Sequence, residues 1–69
     1  MTHTEFKQAR HLLGLTQSQM GQMLSVSPQH IRRMETSPTN KSARQVNGTT
    51  ARLVTAYLDG YRPTDWPQI

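Results

Sequence analysis

The sequence predicts an all-α fold, a compact arrangement of four helices with room for a fifth short one in a long loop. Three observations carry that reading. Four segments place apolar residues at helical spacing, most of them open on a residue able to cap backbone amides, and no segment alternates β-branched and polar residues as a strand would. At 69 residues the chain makes one small domain, residues 1–69, with a single modest core.

The first helix is expected to start after Thr4 as N-cap, with Glu5 in its first turn, and to stop at Gly14. Phe6, Ala9 and Leu13 form its buried stripe, with Leu12 also at helical spacing. The second starts at the Thr16 cap and runs to about Leu24, with Met20, Met23 and Leu24 on one face and the small Gly21 beside them. Only Ser25, Val26 and Ser27 separate it from the next start signal. There Ser27 caps the amides and Pro28, at the first helical position, has no amide to leave unsatisfied. The third helix therefore runs from Pro28 to about Glu35.

Residues 36–48, TSPTNKSARQVNG, are polar, contain Pro38 and end in Asn-Gly, so they read as a loop with one short turn around Ser42 to Gln45. The last helix is expected over about 49–59, from Thr49 or Thr50, with Ala51, Val54, Tyr57 and Leu58 as its stripe and Asp59-Gly60 as its end. The tail, 60–69, holds two prolines and cannot continue as helix.

Composition narrows the function. Without cysteine there is no disulfide, thiolate metal site or cysteine nucleophile, and a reducing compartment suits the chain, the cytoplasm being the default. No apolar run reaches membrane-spanning length, and the first residues lack the pattern of a signal peptide. Histidines at 3, 11 and 30 do not make a metal-ligand spacing, so neither a metal nor a cofactor is expected. Methionines 20, 23 and 34 match the buried face and read as core filler. Four acidic residues and no nucleophile with its base argue against an enzyme, and no small-molecule ligand is evident. Eight Lys and Arg give a net charge of +4 and a pI near 10.4. That balance either keeps the domain soluble by self-repulsion or attracts an anionic partner, of which nucleic acid fits best.

The position of the charges favours the second. Met20, Leu24, Val26, Ile31 and Met34 would close a miniature core within residues 17–35, and Gly21 lets the two helices approach where they cross. The stretch LTQSQMGQMLSVSPQHIRRME resembles, without a gap, the helix-turn-helix of the phage Cro/CI-type repressors, the XRE family, and the likeness reaches back to Phe6 and Arg10. It departs at Ser25, where the family usually places glycine in a left-handed turn, at a cost of about 1 kcal/mol. The resemblance implies a lambda-repressor-like domain in a bacterial or phage-encoded regulator acting on double-stranded DNA. It also implies that Arg10 and Glu35 pair to join the first helix to the third, which suits two charges near apolar faces.

If Ile31 and Met34 face inward, an advance of about 100° per residue puts Gln29 and Arg33 at the centre of the outward face, flanked by Pro28, His30 and Arg32. Gln suits adenine N6/N7 and Arg suits guanine O6/N7, so Gln29 and Arg33, with Arg32 and Pro28 beside them, are the candidate base readers. Gln17, at the place where the resembled repressors hold the DNA backbone with a glutamine, leads the candidate phosphate contacts. Ser27 joins it, and His30 either touches a phosphate or covers the turn. Lys41, Ser42, Arg44 and Thr49 either reach the far backbone or are solvated surface.

One such helix covers few base pairs, so a homodimer on an inverted-repeat operator is expected. Tyr57, Leu58, Tyr61 and Trp66 either form the dimer interface or, for Tyr61 and Trp66, fold back over the core. No inducer-binding or cleavage domain is expected, which leaves regulation to concentration and occupancy. The small size and the GYRP at 60–63 are similar to the anti-CRISPR-associated (Aca-type) autorepressors, which implies repression of the chain's own operon. The alternatives are an antitoxin-type or Cro-like regulator of another operon, and a protein-binding adaptor on the same scaffold.

Overall fold

The helices are opened by side chains that satisfy amides the helix itself leaves unpaired. In a computed structural model that describes residues 1–67, they are α1 (His3–Leu12), α2 (Gln17–Leu24), α3 (Pro28–Met34) and α4 (Gly48–Leu58). No strand occurs among the described residues. Positions 68 and 69 of the predicted tail lie outside them.

α1 begins earlier than expected, because Thr2 rather than Thr4 is its cap. The Thr2 hydroxyl accepts from the Glu5 amide at 3.1 Å while the Glu5 carboxylate accepts from the Thr2 amide at 2.7 Å. This reciprocal box needs the acidic residue three positions after the cap, a spacing Thr2 has and Thr4 lacks. The bonds from the Thr2 backbone and side chain hold the Glu5 carboxyl below its ordinary pKa. Gly14, at φ 71°, follows the helix in the left-handed conformation.

The same box recurs at α2, where Thr16 and Gln19 exchange bonds of 3.0 and 2.9 Å. At α3 the Ser27 hydroxyl accepts from the His30 amide at 3.1 Å, with Pro28 in the first turn. α4 also begins earlier than expected: Asn47 caps it by accepting from the Thr50 amide at 2.8 Å, so Gly48 is already helical. The turn expected over Ser42 to Gln45 lies instead at 38–42. The Asn40 side-chain oxygen accepts there from both the amide and the hydroxyl of Ser42, at 2.9 and 2.8 Å. No fifth helix forms among the described residues.

Phe6, Ala9, Leu15, Met20, Met23, Ile31, Met34, Val54 and Tyr57 make the core, to which every helix contributes. Leu13, Leu24 and Val26 are half-buried at its margin, since each sits at a helix end or in a turn where water reaches one side. Leu15, between α1 and α2, takes the buried place instead. Each fully buried aliphatic or aromatic side chain contributes about 1.5 to 3 kcal/mol, so this set carries most of the favourable term in so small a fold. No helix among the described residues is long and apolar enough to cross a membrane.

Candidate nucleic-acid interface

The attitude of α3 is set by the three residues before it. Ser25 takes the left-handed conformation, φ 60° and ψ 40°, which reverses the chain after α2. The next residues then pass so close to α2 that a Cβ on Gly21 would stand 2.6 Å from the Val26 carbonyl oxygen and 3.3 Å from the Ser27 carbonyl carbon. Only glycine allows that approach. Ile31 and Met34 lock the inner face of α3 into the core.

On the outward side the exposures differ from the expected order. Pro28, Gln29 and Arg32 are exposed, while His30 and Arg33, the latter expected at the centre of the face, are half-buried, because residue 33 adjoins the inward-facing Met34. Among the described residues no hydrogen bond occupies the side chains of Gln29, Arg32 or Arg33, whose donors therefore remain open to a base edge. Gln29 and Arg33 lie one helical turn apart.

Behind this face Arg10 and Glu35 meet in a two-pronged ion pair, Nε to Oε2 at 2.6 Å and Nη2 to Oε1 at 3.1 Å, with side chains only 11% and 4% exposed. Arg10 also donates through Nη1 to the Leu15 carbonyl at 3.0 Å. Glu35 is the C-cap of α3, where a carboxylate opposes the helix dipole, so the guanidinium offsets two penalties at once, desolvation and dipole. Gln17, in the first turn of α2, donates through Nε2 to the same Oε1 at 3.2 Å. Sequence reasoning missed this third member, although Gln17 and Glu35 were both singled out for other reasons.

Ser27 is exposed and engaged as a cap, with Thr49 exposed in the first turn of α4. In the long loop Lys41 is exposed, the Ser42 hydroxyl donates to Asn40, and Arg44 folds Nη1 onto the Ala43 carbonyl at 3.0 Å. The Arg44 amide donates to the Arg33 carbonyl at 3.1 Å, which ties this basic segment to the C-terminal end of α3.

The four C-terminal candidates separate. Tyr57 is 2% exposed and belongs to the core; Trp66 is half-buried and meets it edge-on, ring centroids 5.0 Å apart. Tyr61 stacks on Tyr57 at 6.0 Å yet stays 53% exposed, and Leu58 is 42% exposed. Arg62, not singled out from the sequence, lies 4.3 Å over the Trp66 ring and donates to the Tyr57 carbonyl at 2.7 Å. The tail is thereby latched onto the end of α4.

Among the described residues no group of His, Asp or Glu is placed to hold a metal ion. Searches of curated proteins and of solved structures give no match. Residues 6–59, more than half of the chain, match the family described as helix-turn-helix, and that span includes α2, the turn, α3 and the whole of α4. The chain belongs to this family, the XRE-type helix-turn-helix proteins, and is a DNA-binding transcription regulator.

Proposed function

We propose that the protein is a sequence-specific repressor that binds an inverted-repeat operator in double-stranded DNA as a homodimer, with α3 of each protomer in the major groove. The observation that carries this reading is the outward face of α3, where Gln29, Arg32 and Arg33 make no side-chain hydrogen bond among the described residues, on a helix locked from behind by Ile31, Met34 and the Arg10–Glu35 pair. Gln29 and Arg33 read bases, with Arg32 and Pro28 beside them. Gln17, Ser27, His30, Lys41, Arg44 and Thr49 hold phosphates, whereas both donors of Ser42, its amide and its hydroxyl, are already engaged by Asn40.

With Tyr57 and Trp66 turned to the core, Leu58 and Tyr61 are the apolar surface left at the end of α4 for a second protomer. Autoregulation of an anti-CRISPR operon is the finer form of the reading, supported by the likeness of residues 60–63.

Selection from a random duplex library, followed by titration from about 50 to 200 mM salt, tests the proposal. An enriched inverted repeat, two protomers per duplex and a steep log-log decline with salt support it. Absence of duplex binding sinks it in favour of a protein-binding adaptor, and enrichment of a single half-site with one protomer sinks the dimer.

A further inference from the structure

We infer that Glu35 is a positioning residue for Gln17: its buried carboxylate, fixed by Arg10, holds the Gln17 amide in the orientation in which it meets the DNA backbone. The inference rests on the reading of Gln17 as a phosphate contact and adds what aims it.

Three elements converge on one carboxylate. Arg10 comes from α1, Gln17 from the first turn of α2, and Glu35 closes α3. Oε2 accepts from Arg10 Nε at 2.6 Å, while Oε1 accepts from both Arg10 Nη2 at 3.1 Å and Gln17 Nε2 at 3.2 Å. A carboxylate accepts only, so it takes an N–H of Gln17 and settles which end of the amide points inward. The primary amide carries two N–H groups, so one remains for a phosphate oxygen.

Two consequences favour DNA binding. A glutamine on an open helix samples many rotamers and loses them when it meets its ligand; one already tied down has lost them before the DNA arrives. A bare carboxylate beside a phosphate would repel it, and the two-pronged pair with Arg10 cancels that charge without withdrawing the acceptor. The tie also spans the first turn of α2 and the end of α3, so it fixes the backbone clamp relative to the base-reading helix.

The test is a double-mutant cycle on duplex affinity with the full chain, joined to a spectrum of the unbound protein. Gln17→Ala is compared in the wild type and in an Arg10→Met/Glu35→Met background, in which both charges of the buried pair are removed together so that neither is left unpartnered. Gln17→Ala should weaken the wild type roughly 2- to 10-fold, the effect of a single pre-ordered side chain, and weaken the altered background by less than about 2-fold. In the unbound wild type, one Gln17 side-chain N–H proton should be shifted downfield and slow to exchange, and Glu35→Gln should move it toward the position of a solvated amide.

Equal penalties in both backgrounds overturn the positioning role while leaving the DNA-binding reading intact. A wild type that binds no duplex overturns the DNA reading and the role with it. If the paired variant does not fold, the spectra of the wild type and Glu35→Gln decide, and a wild-type Gln17 amide at the solvated position overturns the inference.

Discussion

Gly21 of α2 and Val26 of the following turn are in contact through backbone alone, with the Val26 carbonyl oxygen 2.6 Å from where a Cβ on residue 21 would stand. Two effects oppose each other in Gly21→Ala. Alanine gains about 1 kcal/mol of helix propensity over glycine, but the methyl meets a carbonyl that no rotamer change can move. Overpacking costs typically about 1 to 3 kcal/mol, and here the obstacle is backbone, so the upper part of that range applies. The variant should be less stable by about 1 to 2 kcal/mol in urea unfolding. A stability equal to or above the wild type would mean that the turn is looser than its geometry.

Ser25 presents the reverse case. It holds φ 60° with a side chain, and no hydrogen bond from its hydroxyl rewards the conformation among the described residues. A left-handed residue with a Cβ is strained by about 1 to 2 kcal/mol, against roughly 0.5 to 1 kcal/mol of extra chain entropy that glycine loses on folding. Ser25→Gly should therefore stabilise the fold by up to about 1 kcal/mol and raise the Tm by several degrees. An unchanged or lower Tm would show that Ser25 is not strained.

What could be read from the chain follows from how local the responsible physics is. Thr16, Ser27 and Pro28 act on amides within the next turn, so the starts of α2 and α3 were legible, and Ile31 and Met34 faced inward as the helical period requires. The start of α1 was misplaced, because Thr4, one residue before the acid, offered a competing cap to Thr2, whose spacing to Glu5 is the one a capping box needs. Leu15 was hidden because it lies between helices, where no periodicity applies and only the tertiary fold buries it. The tie between Gln17 and Glu35 joins residues 18 apart in sequence and depends on the crossing of α2 and α3. The turn at 38–42 rests on one Asn40 side chain, a choice that composition alone cannot make among so many polar neighbours.

Tyr57 gives the fold a dependence on alkaline pH. Burial raises its phenol above the ordinary pKa, and the charge of Asp65 and then Tyr61 add to the effect. Because the folded pKa exceeds the unfolded value of about 10, the unfolded chain releases its proton first as pH rises. The Tyr57 contribution is thus complete below about pH 10 and is lost as pH climbs through the raised folded value. Tyr57→Phe removes the proton and should flatten the fall in stability above about pH 10. An identical alkaline profile in the variant would place the responsible group elsewhere.

Arg33 is where base reading and backbone holding can be told apart. Its guanidinium has no hydrogen bond within the described residues, so Arg33→Ala leaves no buried partner orphaned and the fold should survive. A lost bidentate contact to guanine removes about 1 to 3 kcal/mol of discrimination at one base pair in each half-site. Binding to the selected operator should weaken, binding to duplexes altered at that position should weaken far less, and preference there should relax. Lys41, exposed and proposed as a phosphate contact, offers the contrast: Lys41→Ala should lower affinity uniformly across sequences and reduce the salt slope by about 1. If Arg33→Ala instead lowered every duplex equally and flattened the salt slope as Lys41→Ala should, Arg33 would be a backbone contact and the reading face would have to centre on Gln29 and Arg32.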